Sequence, residues 1–293
     1  MHNADDAENL LSVGVTSTGI PVKINRVVVE ADVRLSIGSI DPHRFAGWSG
    51  GAKNILPGVA GRETINAHHT LLLDPATRLG VTTGNPFREQ LEEAAGLAHL
   101  DFIINVVLTP KKKIAYVAAG HYVAAHRAGV QFVHQKIKAT VAGKADIVIA
   151  SPGGAPRDGE FWQTEGKCIG PASPAVKDGG TFIVVAQCSK GIGNEEFARY
   201  LRTMDAKEME QALTRGPFSM ALAKAYKFAQ LAKRVNLVLI TEGIDHAAFG
   251  KISMAFSTSL ENTLQKLLQR NPGASVIAVP DAAGIILNVE HQA

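Results

Sequence analysis

The chain has 293 residues, 46% of them hydrophobic, which is enough for two domains with packed cores. Its 30 Lys and Arg against 27 Asp and Glu leave a formal charge of +3, and 2 Trp with 4 Tyr offer few stacking platforms, so composition argues against nucleic acid as a partner. Two cysteines, Cys168 and Cys188, build neither a four-thiolate metal site nor a disulfide scaffold, and no long apolar run or signal-like start points to a membrane or to export, so a cytoplasmic location is expected.

The opening, Met1 to Asp6, reads as an acidic half-helix leading directly into turns at Gly14 and Gly19 with no strand before them, as if the chain began inside a domain. Val22–Glu30 and Val33–Ile40 are β-rich and end at Asp41-Pro42, which favours an extended conformation. A Gly-rich loop spans 45–53 and closes near Pro57-Gly58, after which Arg62–Leu73 has the composition of a helix carrying adjacent His68 and His69. Leu91–Leu100 reads as an amphipathic helix, Phe102–Leu108 and Ile114–Ala119 as a hairpin, and Tyr122–Thr140 as a helix. Gly143-Lys144 marks a domain boundary.

Beyond it, the apolar runs Asp146–Ala150, Thr181–Ala186, Asn236–Ile240 and Ser275–Val279 alternate with helical segments, the pattern of a parallel sheet with crossover helices. Ser151-Pro152-Gly153-Gly154 follows the first run, at the strand end where open α/β sheets place ligands. The expectation is a two-domain α/β protein. An N-terminal domain over 1–143, incomplete at its start, carries the Gly-rich loop, and a C-terminal α/β domain over 144–274 holds a mostly parallel sheet. A terminal strand segment over 275–293 finishes the second sheet or returns to the first domain, and the active site is expected in the cleft between domains.

Gly47-Trp48-Ser49-Gly50-Gly51 formally matches the G-x-S-x-G elbow of a serine hydrolase, with Asp245-His246 as conceivable partners. An elbow needs a strand running into the serine and a helix directly after it, whereas Asp41-Pro42 interrupts one side and glycine follows on the other. Lys53 lacks the flanking residues of a phosphate-binding Walker loop, although glycines beside a lysine can offer N–H groups to an anion. No H-E-x-x-H is present, and His121 and His126, five apart, read as structural.

The run from Gly38 to Gly58, with His43, Ser49, Gly50, Gly51 and Lys53 inside it and His69 shortly after, resembles the signature of the nickel-pincer lactate racemase family. Gly84-Asn85-Pro86, the Asp101–Leu108 strand, Gly120-His121, Ser151-Pro152-Gly153-Gly154 and Trp162-Gln163 agree, so the resemblance covers nearly the whole chain. It implies a racemase or epimerase of a lactate-like 2-hydroxy acid. The cofactor it implies is a pyridinium-3,5-bisthiocarboxylic acid mononucleotide holding nickel, tethered to Lys53 and supplied by dedicated biosynthetic enzymes. His69, ahead of its neighbour His68, would complete the nickel coordination. His43 would be the general base or acid toward the substrate hydroxyl while hydride leaves C2. Ser49, Gly50, Gly51, Trp162 and Gln163 would contact cofactor or substrate, as would Lys167, which stands one position later than the lysine usual in the family. Members also carry a further N-terminal stretch, with an arginine for the substrate carboxylate and a second catalytic histidine. The resemblance therefore implies truncation or a separate polypeptide supplying that stretch, and an incomplete or inactive chain as it stands. A serine hydrolase using Ser49, or a non-catalytic remnant binding a nucleotide or a partner, are the rival expectations.

Overall fold

In the computed structural model, which describes residues 1–244 and 246–290, the chain divides into two units, Met1–Ile137 and Lys138–Ala293. The first opens differently from its composition. Met1–Asp6 forms no half-helix, and strand β1 (Leu10–Val15) pairs antiparallel with β2 (Pro21–Asn25), so Gly14 lies within a strand and the turn expected at Gly19 closes a hairpin. The β-rich run Val22–Glu30 is also broken. The side chain of Asn25 accepts the Val27 N–H at 3.0 Å and caps a short helix, α1 (Arg26–Val29), which removes those valines from any ladder.

Strand β3 (Leu35–Ser39) follows, then a two-residue antiparallel pair, β4 (Pro42–His43) and β5 (Gly47–Trp48), that folds the Gly-rich loop back on itself. Helix α2 (Arg62–His69) continues into a 3-10 turn over Thr70–Leu73. Helix α3 (Pro86–Leu97) begins earlier than its amphipathic pattern suggests, because Asn85 caps it and Pro86 takes the first helical position. Strands β6 (Phe102–Leu108) and β7 (Ile114–Gly120) form the expected hairpin, and β3 joins β6 in parallel to give the order β3-β6-β7. Helix α4 (Ala124–Ile137) closes the unit and ends short of Thr140, since the next residues are a strand.

The second unit runs through β8 (Lys138–Val141), β9 (Ala145–Ala150), α5 (Phe161–Thr164) with a π turn over Glu165–Ile169, and α6 (Gly170–Ala172). Next come β10 (Val176–Val185), the helices α7 (Glu195–Thr203), α8 (Ala206–Arg215) and α9 (Met220–Arg234), and β11 (Asn236–Ile240). It finishes with β12 (Ala255–Ser257), α10 (Leu260–Arg270), β13 (Val276–Val279) and β14 (Ile286–Val289). Five strands form an all-parallel sheet in the order β12-β11-β10-β9-β13, with β12 added to the four read from the sequence. The terminal segment divides its loyalty: β13 completes this sheet, and β14 pairs in parallel with β8.

One face of the sheet buries Val148, Phe182, Val184, Leu237 and Leu239 with Phe161, Phe197 and Phe228. The other packs Ile147, Ile183, Val238 and Ile240 against Leu260, Leu264, Leu267 and Leu268 of α10. Helices on both faces explain why these strands are apolar throughout instead of alternating. Strand order reverses at β9, whose neighbours are β10 and β13, and the loops after β9 and β13 meet there through the Pro152–Asp281 bridge and the Arg157–Asp281 ion pair at 3.0 Å. Among the described residues no helix is long and apolar enough to cross a membrane.

The three-stranded sheet of the first unit has two unequal faces. Ser36, Ile103, Asn105, Val107 and Ala118 alternate onto the buried side, whereas Leu35, Ile37, Phe102 and Val117 lie on the other and are 51%, 69%, 38% and 50% exposed. Apolar side chains gathered on an open sheet face promote association. We expect the isolated chain to self-associate with rising concentration and the double variant Ile37→Lys, Val117→Lys to be markedly more monomeric. Sedimentation velocity checks this, and identical profiles for both proteins would refute it.

Candidate active site

The Gly-rich loop is held from beneath by side chains of the same unit. Arg88 on α3 is fully buried, and its guanidinium donates to the carbonyls of Ala46 (3.0 Å), Gly50 (3.4 Å) and Trp48. Burial pushes its pKa down to about 10, so it stays charged at neutral pH, and those carbonyls are its charge-stabilising shell. Asn85 caps α3 and also donates to the carbonyls of Phe45 (2.8 Å) and Val81 (3.0 Å). Asn105 on β6 accepts the Gly51 N–H at 2.7 Å, and buried His126 on α4 shares a hydrogen bond with the Ser49 carbonyl at 2.9 Å. The glycines are required for this closeness. A Cβ on Gly47, at φ +72°, would lie 2.0 Å from the Val81 carbonyl oxygen, and one on Gly50, also at +72°, 2.6 Å from Asn105 Oδ1.

These contacts decide two expectations. Ser49 Oγ accepts the Asp41 N–H at 2.8 Å and donates to the Ser39 carbonyl at 2.9 Å, so the hydroxyl braces the loop and its own proton is committed to a backbone carbonyl. Of the partners imagined for it, Asp245 lies outside the described residues, as does the side chain of His246. The Gly51 N–H, spent on Asn105, is likewise not part of an anion-binding nest. His126 is structural, as read from its spacing.

His43 ends β4 and is half-buried, with Nδ1 accepting from the amides of Ala46 (3.1 Å) and Phe45 (3.3 Å). In the neutral ring this assigns the proton to Nε2. Lys53 sits in the 3-10 turn Gly51–Asn54, and its positive charge is near enough to lower the proton affinity of both His68 and His69. His69 Nδ1 lies 2.7 Å from the Ile65 carbonyl, to which it donates, leaving Nε2 with its lone pair. Burial first, and the Lys53 charge last, take its pKa down to about 4, so the ring is neutral at ordinary pH. His68 is fully buried, donates from Nε2 to the Phe87 carbonyl at 2.8 Å, and packs edge-on against the Phe87 ring with centroids 4.1 Å apart. That is a core histidine. Among the described residues no three or more His, Cys, Asp or Glu side chains gather as a metal site, so an ion at His69 would need donors from a bound ligand.

In the second unit a cavity of about 500 Å³ opens at the carboxyl ends of β9 and β10, with Gln163, Lys167, Gln187, Ser189 and Lys190 in its wall. Trp162 is not in that wall; its ring packs against Phe197 with centroids 5.1 Å apart. Asp158 and Glu160 also line the cavity, but their carboxylates turn to the β10 loop. Asp158 accepts the Gln187 N–H at 3.4 Å, and the Glu160 carboxylate lies where a Cβ on Gly193 would meet it at 2.6 Å.

Arg88 and Asn105 carry no motif that marks them, whereas Asn85-Pro86 is a legible helix start whose second task is invisible in sequence. His126 gives a direct test. Burial, with the nearby charges of Arg88 and Arg127, takes its pKa down to about 3. Between its ordinary value of 6.5 and about 3 the unfolded chain holds a proton that the folded chain refuses, so stability falls as pH drops through that window and is flat above it. We expect His126→Gln to lose about 2 kcal/mol less than the parent between pH 7 and pH 5, measured by urea denaturation. Equal losses would contradict the assignment.

Residues 1–80 match the lactate racemase N-terminal domain and residues 140–287 the lactate racemase C-terminal domain. The lactate racemase of Thermoanaerobacterium thermosaccharolyticum is 34% identical over 298 aligned residues, 98% of this chain and 68% of the relative; that of Lactiplantibacillus plantarum is 33% identical over 98% and 69%. The structure of the T. thermosaccharolyticum lactate racemase apoprotein superposes with a TM-score of 0.90 at 32% identity, covering 98% of this chain and 70% of that one. A Thermotoga maritima protein shares the fold, with a TM-score of 0.70 at 15% identity over 99% and 77% of the two chains. On identity and coverage together, the chain belongs to the lactate racemase family of isomerases.

Proposed function

We propose that the chain racemises a 2-hydroxy acid of the lactate class using a nickel-pincer nucleotide tethered to Lys53, with His69 as the protein ligand to nickel. The observation that carries this reading is His69 itself: a neutral imidazole whose Nδ1 is tied to a backbone carbonyl, whose Nε2 keeps a lone pair, and whose proton affinity registers the charge of Lys53. Among the described residues no three His, Cys, Asp or Glu side chains gather there, which suits a metal whose other donors arrive with a cofactor. When bound, the group would supply an electrophile for the hydride on C2 of the substrate.

The chain's own residues do the rest. A cofactor tethered to Lys53 would remove the charge that opposes protons on His68 and His69, and the 3-10 turn pinned through Asn105 and Arg88 holds the Lys53 backbone in place. His43 handles the proton of the substrate oxygen at Nε2. With Nδ1 held by two amides, its neutral form donates a hydrogen bond to the oxygen on C2, and acting as base requires the ring to exchange those amides for a proton on Nδ1. Gln163 and Lys167 hold an anionic group of substrate or cofactor in their cavity. Ser49 acts through the loop's shape.

The test is intact mass with nickel content, on protein co-produced with the pincer-synthesising enzymes. The parent should gain the cofactor mass at Lys53 and retain nickel, Lys53→Ala should gain neither, and His69→Ala should keep the mass but lose nickel on dialysis. Unchanged mass and nickel in Lys53→Ala would overturn the proposal.

A further inference from the structure

A buried ion pair in the second unit has no part in the chemistry above. Lys224 on α9 and Glu165, the first residue of the π turn, have side chains 9% and 1% exposed and stand 3.2 Å apart. The ammonium also donates to the Trp162 carbonyl at 2.7 Å and lies 3.6 Å from the centre of the Trp162 ring.

Two charges taken from water into a core beside Phe161, Phe197 and Phe228 are a poor way to gain stability, because apolar packing of the same volume serves as well or better. Their placement is informative instead. The ammonium binds at both sides of the junction where α5 gives way to the π turn, holding a carbonyl before it and a carboxylate at its start. π turns are uncommon and frequently sit at functional sites. Gln163 and Lys167, which enter the cavity wall, lie on this same segment, one between the two groups that Lys224 grips and one just past them.

We propose that Lys224 is a positioning residue: by clamping the junction between α5 and the π turn, it sets Gln163 and Lys167 to bind an anionic group, carboxylate or phosphate, in the cavity at the ends of β9 and β10. This rests on the reading that those two residues bind such a group. The carbonyl contact and the cation–ring contact are what an apolar substitute cannot reproduce.

The test uses the full chain and the double variant Lys224→Met, Glu165→Gln, which removes both charges together so that neither is stranded. Acylation of Lys167 by acetic anhydride is followed by mass spectrometry at rising concentrations of inorganic phosphate or of lactate, with urea denaturation alongside. In the parent, one of the two anions should protect Lys167 saturably, and which one does so identifies the source of the group. The double variant should fold with similar stability, need at least tenfold more of the same anion, and show faster amide exchange over residues 161–169. A double variant with both stability and protection at the parent's level overturns the positioning role alone. Lys167 unprotected by either anion in the parent overturns the binding reading and the proposal with it.

Discussion

Everything in the first unit's site follows from one buried cation that has to be satisfied. A guanidinium in a protein interior needs acceptors on all its edges, and Arg88 finds them in three carbonyls of a loop whose backbone would otherwise be unconstrained. Because those carbonyls belong to alternate residues, Ala46, Trp48 and Gly50, satisfying the charge specifies the path of the loop from Ala46 to Gly50. The glycines at 47 and 50 are the consequence, since left-handed backbone with oxygens packed against it leaves no room for Cβ. His43 on one side of this stretch and Lys53 on the other inherit their places from it.

The second unit solves a different problem with ordinary means. Its parallel strands are covered on both faces by helices, and its cavity forms where loops leave adjacent strand ends. Beside the strand-order reversal, Arg157 and Asp281 pair with one another. In both units, a buried cation on a neighbouring helix grips the backbone of the segment that carries the candidate residues: Arg88 for the loop, Lys224 for the α5 and π-turn segment.

The parallel sheet was legible because runs such as Ile147–Ile149 and Leu237–Ile240 are apolar at every position, a pattern that fits strands covered on both faces. β12 was not, since three residues, Ala255–Ser257, are too few for periodicity to register. Val27–Val29 misled for the opposite reason: β-branched composition favours a strand, and a single local hydrogen bond from the Val27 N–H to Asn25 Oδ1 overrules it. At the site, His43, Lys53 and His69 are singled out by a family resemblance alone, and the weak elbow match at Ser49 is a pattern that ignores where the hydroxyl's hydrogen bonds go. What no pattern could show is that Arg88 is buried against the carbonyls of Ala46, Trp48 and Gly50, because that depends on contacts between residues far apart in the chain.

The claim that Arg88 shapes the loop is tested most directly by amide hydrogen exchange in Arg88→Lys, which keeps the charge but replaces a planar fork by a point donor that cannot serve three carbonyls. Exchange over residues 45–53 should accelerate clearly relative to the parent, while residues 145–150 of the second unit stay protected. Equal protection of residues 45–53 in both proteins would contradict the account.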